Sequence, residues 1–230
     1  MPLSTFSLRR PLTSYAKVQA VIGGLIRNRR FQLRRPRVRA AAYLDVGCGP
    51  NTHAGFINLD YLWQPGVDLC WDIGSGLPFA DGTLRGVFSE HCLEHFPLAA
   101  AAGLLREIRR VLHPAGRLRL VVPDGELYLR TYVRQRDGDT AQSFPYEAAE
   151  RRDAGWTPMV SVNRIFYQDR DSLFGHRTIF DFQLLAQLLR TAGFAQVTRC
   201  RFGEGADPRL LIDTPARAVE SLYVEASSSA

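Results

Sequence analysis

A short glycine-containing segment is the strongest chemical signal in this sequence of 230 residues. Gly47 and Gly49 directly follow an apolar run that begins at Tyr43 and is typical of a buried strand. Glycine lets the backbone turn tightly there and approach a ligand closely. A dinucleotide fingerprint would place a third glycine where the chain has Thr52, and a P-loop would need a lysine directly after the loop. The loop therefore predicts a ligand without a pyrophosphate group.

Acidic residues end the two strands predicted next along the chain. Asp60 ends the second predicted strand, where its carboxylate could accept both hydroxyls of a ribose. Asp72 ends the third, where the carboxylate and the neighbouring backbone of Ile73 could meet an adenine edge. Taken singly, each aspartate fits ordinary turn chemistry. Together with the glycine loop, the two carboxylates predict a nucleoside site.

These segments resemble those of the class I S-adenosylmethionine-dependent methyltransferases, in particular the small type-11-like group. The resemblance covers residues 43–124 and continues more weakly to residue 226. Its motifs are, in chain order, the cofactor loop Leu44–Gly49, the ribose acid in Asn58–Asp60, the adenine segment from Asp72 to Asp81, the signature Glu90–Phe96 after the fourth strand, and the turn Arg109–Gly116 before the fifth.

The resemblance implies a Rossmann-like, doubly wound α/β fold, with a seven-stranded, mostly parallel sheet and helices on both faces. It also implies S-adenosyl-L-methionine as the cofactor and transfer of the sulfonium methyl group to an acceptor. The implied cofactor-binding residues are Asp45, Gly47, Cys48, Gly49, Asp60, Asp72, Ile73, Ser89 and Glu90.

Two histidines are the candidate catalytic residues. Transfer to a hydroxyl is helped by a base with a near-neutral pKa, and histidine is the natural choice. His91 follows the fourth predicted strand, and His176 leads from an aromatic segment into a later helix. We hypothesise that one of them assists deprotonation of the acceptor. For His176 the alternative is a hydrogen bond that organises its loop, with Asp181 as one partner.

The segment from His91 to His95 also matches H-x-x-E-H, the inverted pattern of some zinc hydrolases. That chemistry needs a long helix that presents both histidines, and here Pro97 leaves about one helical turn. We therefore expect no metal site.

Strands and helices alternate from Tyr43 onward, which indicates a parallel sheet covered on both faces. Only eight residues separate Gly47 from Phe56, so a turn or loop must replace the first helix of the crossover. The predicted strands are 43–47, 56–60, 67–72, 85–89, 118–122, 196–202 and 219–225; the clear helices are 99–112 and 182–192, with His113–Gly116 as the turn that stops the first.

The charge divides the chain into two parts. Residues 1–40 form a basic arm with ten basic and no acidic groups, whereas residues 41–230, the predicted methyltransferase domain, carry a net charge of −4. Residues 143–180 lack periodicity and are rich in aromatic residues, so we expect them to cover the substrate.

Within the basic arm, Ser14–Asn28 predicts an amphipathic helix with an interrupting glycine pair. We expect its apolar stripe to pack on the domain. Attachment to an anionic membrane surface and an organellar transit peptide are the alternatives. The stripe consists of Val18, Val21, Ile22, Leu25 and Ile26.

The composition argues against several classes of protein. No apolar run approaches the ~20 residues of a membrane span, and we expect no secretory signal. Four isolated cysteines predict free thiols in a reducing compartment. Duplex nucleic acid is disfavoured as a partner, because phosphate contacts need a basic surface and the domain is mildly acidic.

We therefore expect a cytoplasmic methyltransferase that acts on a hydroxyl of a small molecule, sugar or glycan intermediate. Peripheral contact with the inner face of a membrane through residues 1–40 stays open. The alternative function is a catalytically silent S-adenosylmethionine-binding protein or a membrane-recruited scaffold.

Overall fold

The computed structural model describes residues 14–152, 155–167 and 175–228, and a seven-stranded mixed sheet forms its centre. The strand order is β3-β2-β1-β4-β5-β7-β6; β1 to β5 are parallel, and β7 runs antiparallel to both of its neighbours. This confirms the predicted α/β fold. The strands are β1 Tyr43–Val46, β2 Phe56–Asp60, β3 Leu69–Cys70, β4 Leu84–Glu90, β5 Leu112–Pro123, β6 Gln196–Cys200 and β7 Ser221–Ser227.

Two amphipathic helices cover the main hydrophobic core. Helix α3 (Leu98–Val111) and helix α7 (Phe182–Thr191) bury their leucine stripes against one face of the sheet. The Asp181 carboxylate caps α7 by accepting a hydrogen bond from Leu184 N at 2.7 Å. The other helices are α1 Ser14–Ile26, α2 Pro36–Ala40, α4 Gly125–Arg136, α5 Glu147–Glu150 and α6 Pro158–Tyr167.

The first crossover is short, as predicted. Residues 47–55, all of them described, form turns and no helix. The sheet face that such a helix would cover carries a second, smaller cluster around Tyr43, Phe88 and Tyr223. Leu210, in the 3-10 turn Pro208–Leu210, is fully buried against this cluster. The segment between β6 and β7 therefore covers part of the face left open by the short crossover.

Two local predictions were wrong. The predicted turn His113–Gly116 lies within β5: Leu112 pairs with Leu84 and Arg117 with Gly86, so the four intervening residues bulge outward while the strand continues. The irregular segment 143–180 contains helices α5 and α6, and α6 packs on α4 through a separate small core.

Helix α1 forms as predicted, but only Ile22 and Ile26 of its apolar stripe are partly buried. Val18, Val21 and Leu25 are 48%, 63% and 69% exposed. The helix instead presents Gly23, where an added Cβ would lie 3.5 Å from the backbone nitrogen of Trp63. Because glycine has no side chain, this side of α1 approaches the domain closely and turns the larger side chains outward.

All four cysteines are free, as predicted. Among the described helices, none combines the length and apolar character needed to cross a membrane.

Candidate active site

A cavity of about 730 Å³ opens at the carboxyl ends of β1 and β4. These strands are neighbours in the sheet, and their crossovers diverge from this point, which is where α/β sheets bind ligands. A cavity of this size can hold a nucleoside cofactor together with a small acceptor. Nine predicted site residues line it: Asp45, Gly47, Cys48, Gly49, Asp60, Asp72, Ile73, Glu90 and His91.

The glycine loop has the backbone conformation that its sequence predicts. Gly47 and Gly49 have φ angles of +74° and +54°, which L-residues rarely adopt. A Cβ on Gly47 would lie 2.5 Å from the Cys92 sulfur, whereas a Cβ on Gly49 would meet nothing within 4 Å. Gly47 therefore permits close packing inside the protein, and Gly49 leaves open space for a ligand.

Asp60 braces the glycine loop from the end of β2. Its carboxylate accepts hydrogen bonds from Gly49 N at 2.9 Å and from Leu62 N at 2.7 Å. Burial raises the pKa of Asp60, and the two backbone donors oppose that rise. Each carboxylate oxygen keeps a second lone pair, so Asp60 can also accept a hydrogen bond from a ribose hydroxyl.

Asp45 lies at the floor of the cavity and is paired with a histidine that the sequence analysis did not select. The His53 Nδ1 is 3.1 Å from the Asp45 carboxylate, which is 2% exposed. Burial raises the pKa of Asp45 to about 6, although His53 opposes that rise. Asp45 therefore titrates close to neutral pH.

Asp72 marks the edge of the cavity next to helix α1. Its side chain accepts a hydrogen bond from Gly74 N at 3.0 Å, and its backbone nitrogen donates to the Asn28 side chain at 2.8 Å. Gln19 of α1 also lines the cavity. The described part of the basic arm thus contributes directly to the wall of the site.

Glu90 and Ser89 end β4 but have different surroundings. Glu90 lines the cavity and accepts a hydrogen bond from Thr214 N at 2.9 Å. Ser89 is buried and does not line the cavity, because its hydroxyl donates to Val46 O at 2.9 Å and joins β4 to β1. The structure therefore assigns Ser89 a contact inside the sheet.

His91 projects from the end of β4 in a strained conformation, with a φ angle of +48°. Its Nε2 lies 2.8 Å from the Ser221 hydroxyl. Burial lowers the pKa of His91 to about 3, and the nearby Arg217 acts in the same direction. The imidazole is therefore neutral at physiological pH.

His176 does not line the cavity but lies directly behind its wall. Its ring centroid is 5.3 Å from that of His95, which does line the cavity. Two arginines also reach the lining, Arg177 and Arg217. Sequence reasoning missed both arginines, because no motif distinguishes them from the many other arginines of the chain.

The residues present fit S-adenosylmethionine. Open space above Gly49 admits a close approach, Asp60 offers a ribose acceptor, and the Asp45 carboxylate can face a cationic group. Residues 64–120 match the family model described as a methyltransferase domain, type 11.

Comparison with solved structures gives similar folds at low identity. The chain is similar to the apo form of the S-adenosylmethionine-dependent methyltransferase SibL, with 18% identity, a TM-score of 0.46, and coverage of 87% of this chain and 54% of that one. It therefore spans about half the length of SibL. The chain is also similar to PigF with S-adenosylhomocysteine, with 14% identity, a TM-score of 0.44, and coverage of 86% of this chain and 60% of that one.

A third similar structure is the Burkholderia thailandensis 1,6-didemethyltoxoflavin-N1-methyltransferase with 1,6-didemethyltoxoflavin and S-adenosylhomocysteine bound. The identity is 16%, the TM-score 0.44, and the coverage 95% of this chain and 92% of that one. No curated protein matches the chain. The family match of residues 64–120 lies within a seven-stranded sheet that has the glycine loop after β1, and both findings support a class I S-adenosylmethionine-dependent methyltransferase of the type-11 group.

Proposed function

We propose that the protein is an S-adenosylmethionine-dependent methyltransferase that acts on a hydroxyl group of a small molecule, sugar or glycan intermediate. The observation that supports the proposal is the composition of the cavity. In addition to the predicted cofactor-binding residues, the lining of the cavity includes His91, His95 and Arg217. These residues carry nitrogen groups that can bind oxygen atoms, which suits a small polar acceptor.

The proposed reaction is an in-line displacement at the methyl carbon. The acceptor oxygen forms a bond to that carbon, the carbon–sulfur bond breaks with its electron pair left on sulfur, and the hydroxyl proton leaves to a base. The products are a methyl ether and S-adenosylhomocysteine. The main task of the protein is to hold the acceptor opposite the sulfur, which is a proximity effect.

We infer that His91 or His176 assists the removal of the hydroxyl proton. His91 lines the cavity, and its neutral imidazole can accept a hydrogen bond from the acceptor hydroxyl. His176 contacts the lining residue His95 and would act through that wall. Replacement of each by Ala should lower turnover while cofactor affinity survives; unchanged turnover in both variants would contradict the assignment.

Calorimetry with S-adenosylmethionine and S-adenosylhomocysteine tests the proposal at its first step. We expect both to bind, and we expect Gly49→Asp and Asp60→Ala to abolish binding. Gly138→Asp is the matched control, because Gly138 also has a positive φ and open space around its Cβ but lies outside the cavity. Absence of heat with either compound would contradict the proposal.

The acceptor is then sought by transfer of a labelled methyl group to a panel of sugars, phenols and other small hydroxyl compounds. Transfer supports the proposed function. Binding of the cofactor without transfer to any acceptor would favour the alternative, a catalytically silent cofactor-binding or scaffold protein.

A specific observation favours a second property, peripheral membrane contact through residues 1–40. The exposed side chains Val18, Val21 and Leu25 lie on one helix that also carries the exposed Lys17. Apolar groups beside basic groups suit an anionic lipid surface. We propose that α1 makes this contact.

A further inference from the structure

Three side chains with metal-ligand atoms converge behind the cavity wall: Glu94, His95 and His176. One ligand atom from each lies within 4.8 Å of the others. We propose that these residues form a binding site for a divalent first-row transition-metal ion. The resulting donor set differs from that of the H-x-x-E-H pattern, because the second histidine comes from a distant part of the chain.

The Glu94 carboxylate is the strongest argument for an ion. Its side chain is 1% exposed, and neither oxygen accepts a hydrogen bond from any group in the described part of the chain. Buried polar groups almost always have hydrogen-bond partners, and a buried carboxylate without them is costly. A cation bound between the two oxygens and the histidine nitrogens would remove that cost.

His176 has the hydrogen bond that metal-binding histidines usually have. Its Nδ1 lies 2.6 Å from the Ile165 carbonyl oxygen. Because a carbonyl only accepts, Nδ1 donates in this bond, and Nε2 is the ring nitrogen that would bind the ion. Such a bond from the second ring nitrogen fixes the tautomer and the orientation of a ligating histidine.

The backbone holds the three residues together. Glu94 O accepts hydrogen bonds from Arg177 N at 2.8 Å and from Thr178 N at 3.1 Å. This joins the 3-10 turn Leu93–His95 to the residues that follow His176. The juxtaposition therefore depends on main-chain hydrogen bonds, which position a ligand set more rigidly than surface side chains do.

The distances require only a small adjustment. The Glu94 Oε1 is 3.9 Å from His95 Nε2, and the ligand atoms of all three residues lie within 4.8 Å of one another. Two ligands about 2.0–2.1 Å from one tetrahedral ion lie ~3.4 Å apart. Rotation of the side chains through less than ~1 Å would therefore bring the atoms to bonding positions.

The donor set also indicates which ion fits. Two imidazole nitrogens and one carboxylate suit zinc and its first-row neighbours, whereas magnesium and calcium prefer oxygen ligands. Arg217, a cationic side chain of the cavity wall that acts on Glu94 electrostatically, is directed to Glu90, with 3.8 Å between Nη1 and Oε2. Because the positive charge of Arg217 is paired with Glu90, Arg217 repels a cation bound at Glu94 less strongly.

His95 lines the cavity, so a coordination position of the ion would face the acceptor end. A metal ion lowers the pKa of an oxygen bound to it and would help the acceptor hydroxyl to lose its proton. This role rests on the proposed function, but ion binding itself does not.

Calorimetric titration of chelator-treated protein with Zn²⁺, and separately with Mn²⁺ and Mg²⁺, tests the site. We expect about one Zn²⁺ per chain and much weaker binding of Mg²⁺. Glu94→Gln, His95→Ala and His176→Ala should each lower Zn²⁺ affinity by more than about 100-fold, since outer-shell partners alone account for 10- to 100-fold. The exposed His113 provides the matched control, His113→Ala, which should bind like the wild type.

Circular dichroism of each variant identifies those that fold. If an alanine variant does not fold, the nearly isosteric Glu94→Gln variant tests whether Glu94 binds the ion. Absence of Zn²⁺ binding by the folded wild type, or wild-type affinity in the folded ligand variants, would overturn the site. A parallel titration with S-adenosylhomocysteine separates the two proposals. Cofactor binding without Zn²⁺ binding removes only the metal site, and Zn²⁺ binding without cofactor binding removes only the proposed function.

Discussion

Arg119 and Asp213, 94 residues apart in sequence, form a fully buried ion pair in which the Arg119 Nε donates to Asp213 Oδ1 at 2.7 Å. The guanidinium also donates to the backbone carbonyls of Glu204 and Arg201 at 2.9 and 3.1 Å. Through these bonds one side chain of β5 fixes the segment between β6 and β7. That segment in turn covers the second face of the sheet.

We expect Asp213→Ala to lower the free energy of unfolding by about 3–5 kcal/mol, because it removes the two-point partner of the buried Arg119 and leaves only a 3.4 Å contact with Glu225. Urea denaturation measures the effect. Removal of all three buried charges, as in Arg119→Met with Asp213→Leu and Glu225→Gln, should cost much less. The exposed pair of Arg136 and Asp137 is the control, and Asp137→Ala should leave the urea midpoint unchanged. A small effect of Asp213→Ala would mean that the pair does not hold the segment.

Gly47→Ala should weaken cofactor binding by about 10- to 100-fold, through 1–3 kcal/mol of local strain. The added Cβ would lie 2.5 Å from the Cys92 sulfur and would have to move the loop. Gly55→Ala is the matched control, because Gly55 also has a positive φ, of +87°, but its Cβ would meet nothing within 4 Å. Calorimetry with S-adenosylhomocysteine compares the two; equal losses would show that the contact with Cys92 is unimportant.

Cofactor affinity should depend on the ionisation of Asp45. Burial raises the pKa of Asp45 to about 6, and S-adenosylmethionine is cationic, so binding favours the ionised carboxylate. Affinity should therefore be full above about pH 7 and fall about tenfold per pH unit well below pH 6. Calorimetry between pH 5 and 7 measures the change, and Asp45→Asn should bind weakly without this dependence.

His53, Glu90 and Asp60 also act on the Asp45 carboxylate. His53 lowers the pKa of Asp45, so His53→Ala should move the midpoint of the affinity curve to higher pH. An unchanged midpoint in His53→Ala would contradict the effect of His53 on Asp45.

The raised pKa of Asp45 also affects the free energy of unfolding of the protein. Because the pKa of Asp45 in the folded protein lies above the ordinary value of 3.8, the folded state binds the proton more tightly than the unfolded state. The contribution of Asp45 to stability is therefore largest at low pH and is lost as the pH rises from about 4 to about 6. Asp45→Asn should flatten this part of the stability profile, as measured by urea midpoints across the range.

Association with vesicles should depend on the exposed side of α1. We expect the protein to sediment with vesicles that contain phosphatidylserine and not with neutral phosphatidylcholine vesicles. Val21→Ser with Leu25→Ser should reduce sedimentation severalfold. The exposed Val133 and Leu129 of α4 serve as a control pair for the same change. Equal loss in both double variants would argue against a specific role of α1.

The part of the cavity lining around Gly47, Gly49 and Asp60 could be predicted because its signals are local. Gly47, Gly49 and Asp60 stand at strand ends, so their positions follow once β1 and β2 are identified. Parallel strands bring their carboxyl ends to one edge of the sheet. The short crossover was predictable for the same reason, since its length alone leaves no room for a helix.

The part of the cavity lining around Arg217 depends on contacts between distant segments. Arg217 reaches the cavity only because Arg119 and Leu210 hold the preceding segment against the sheet. Helix α4 is largely polar and buries few side chains, among them Tyr128 and Thr131, so its sequence has only a weak helical pattern. Neither feature follows from the spacing of apolar residues.

The prediction of which side of α1 faces the domain was wrong for a different reason. The periodic stripe predicts a helix, and periodicity normally identifies its buried side. Here Gly23 permits a closer approach to the domain than the stripe does. Arg27 extends the same contact, with its guanidinium 3.6 Å from the centroid of the Tyr61 ring.

Asn28, just beyond the end of α1, bridges to the Asp72 edge of the cavity: its side chain accepts a hydrogen bond from Asp72 N and donates one to the Ser75 hydroxyl at 3.4 Å. Asn28 thus connects the cofactor pocket with the helix that would bind a surface, so the two binding events would be coupled through this residue. Thermodynamic linkage makes such coupling reciprocal. A surface that favours the bridged position of Asn28 would tighten cofactor binding, and bound cofactor would strengthen attachment by the same factor.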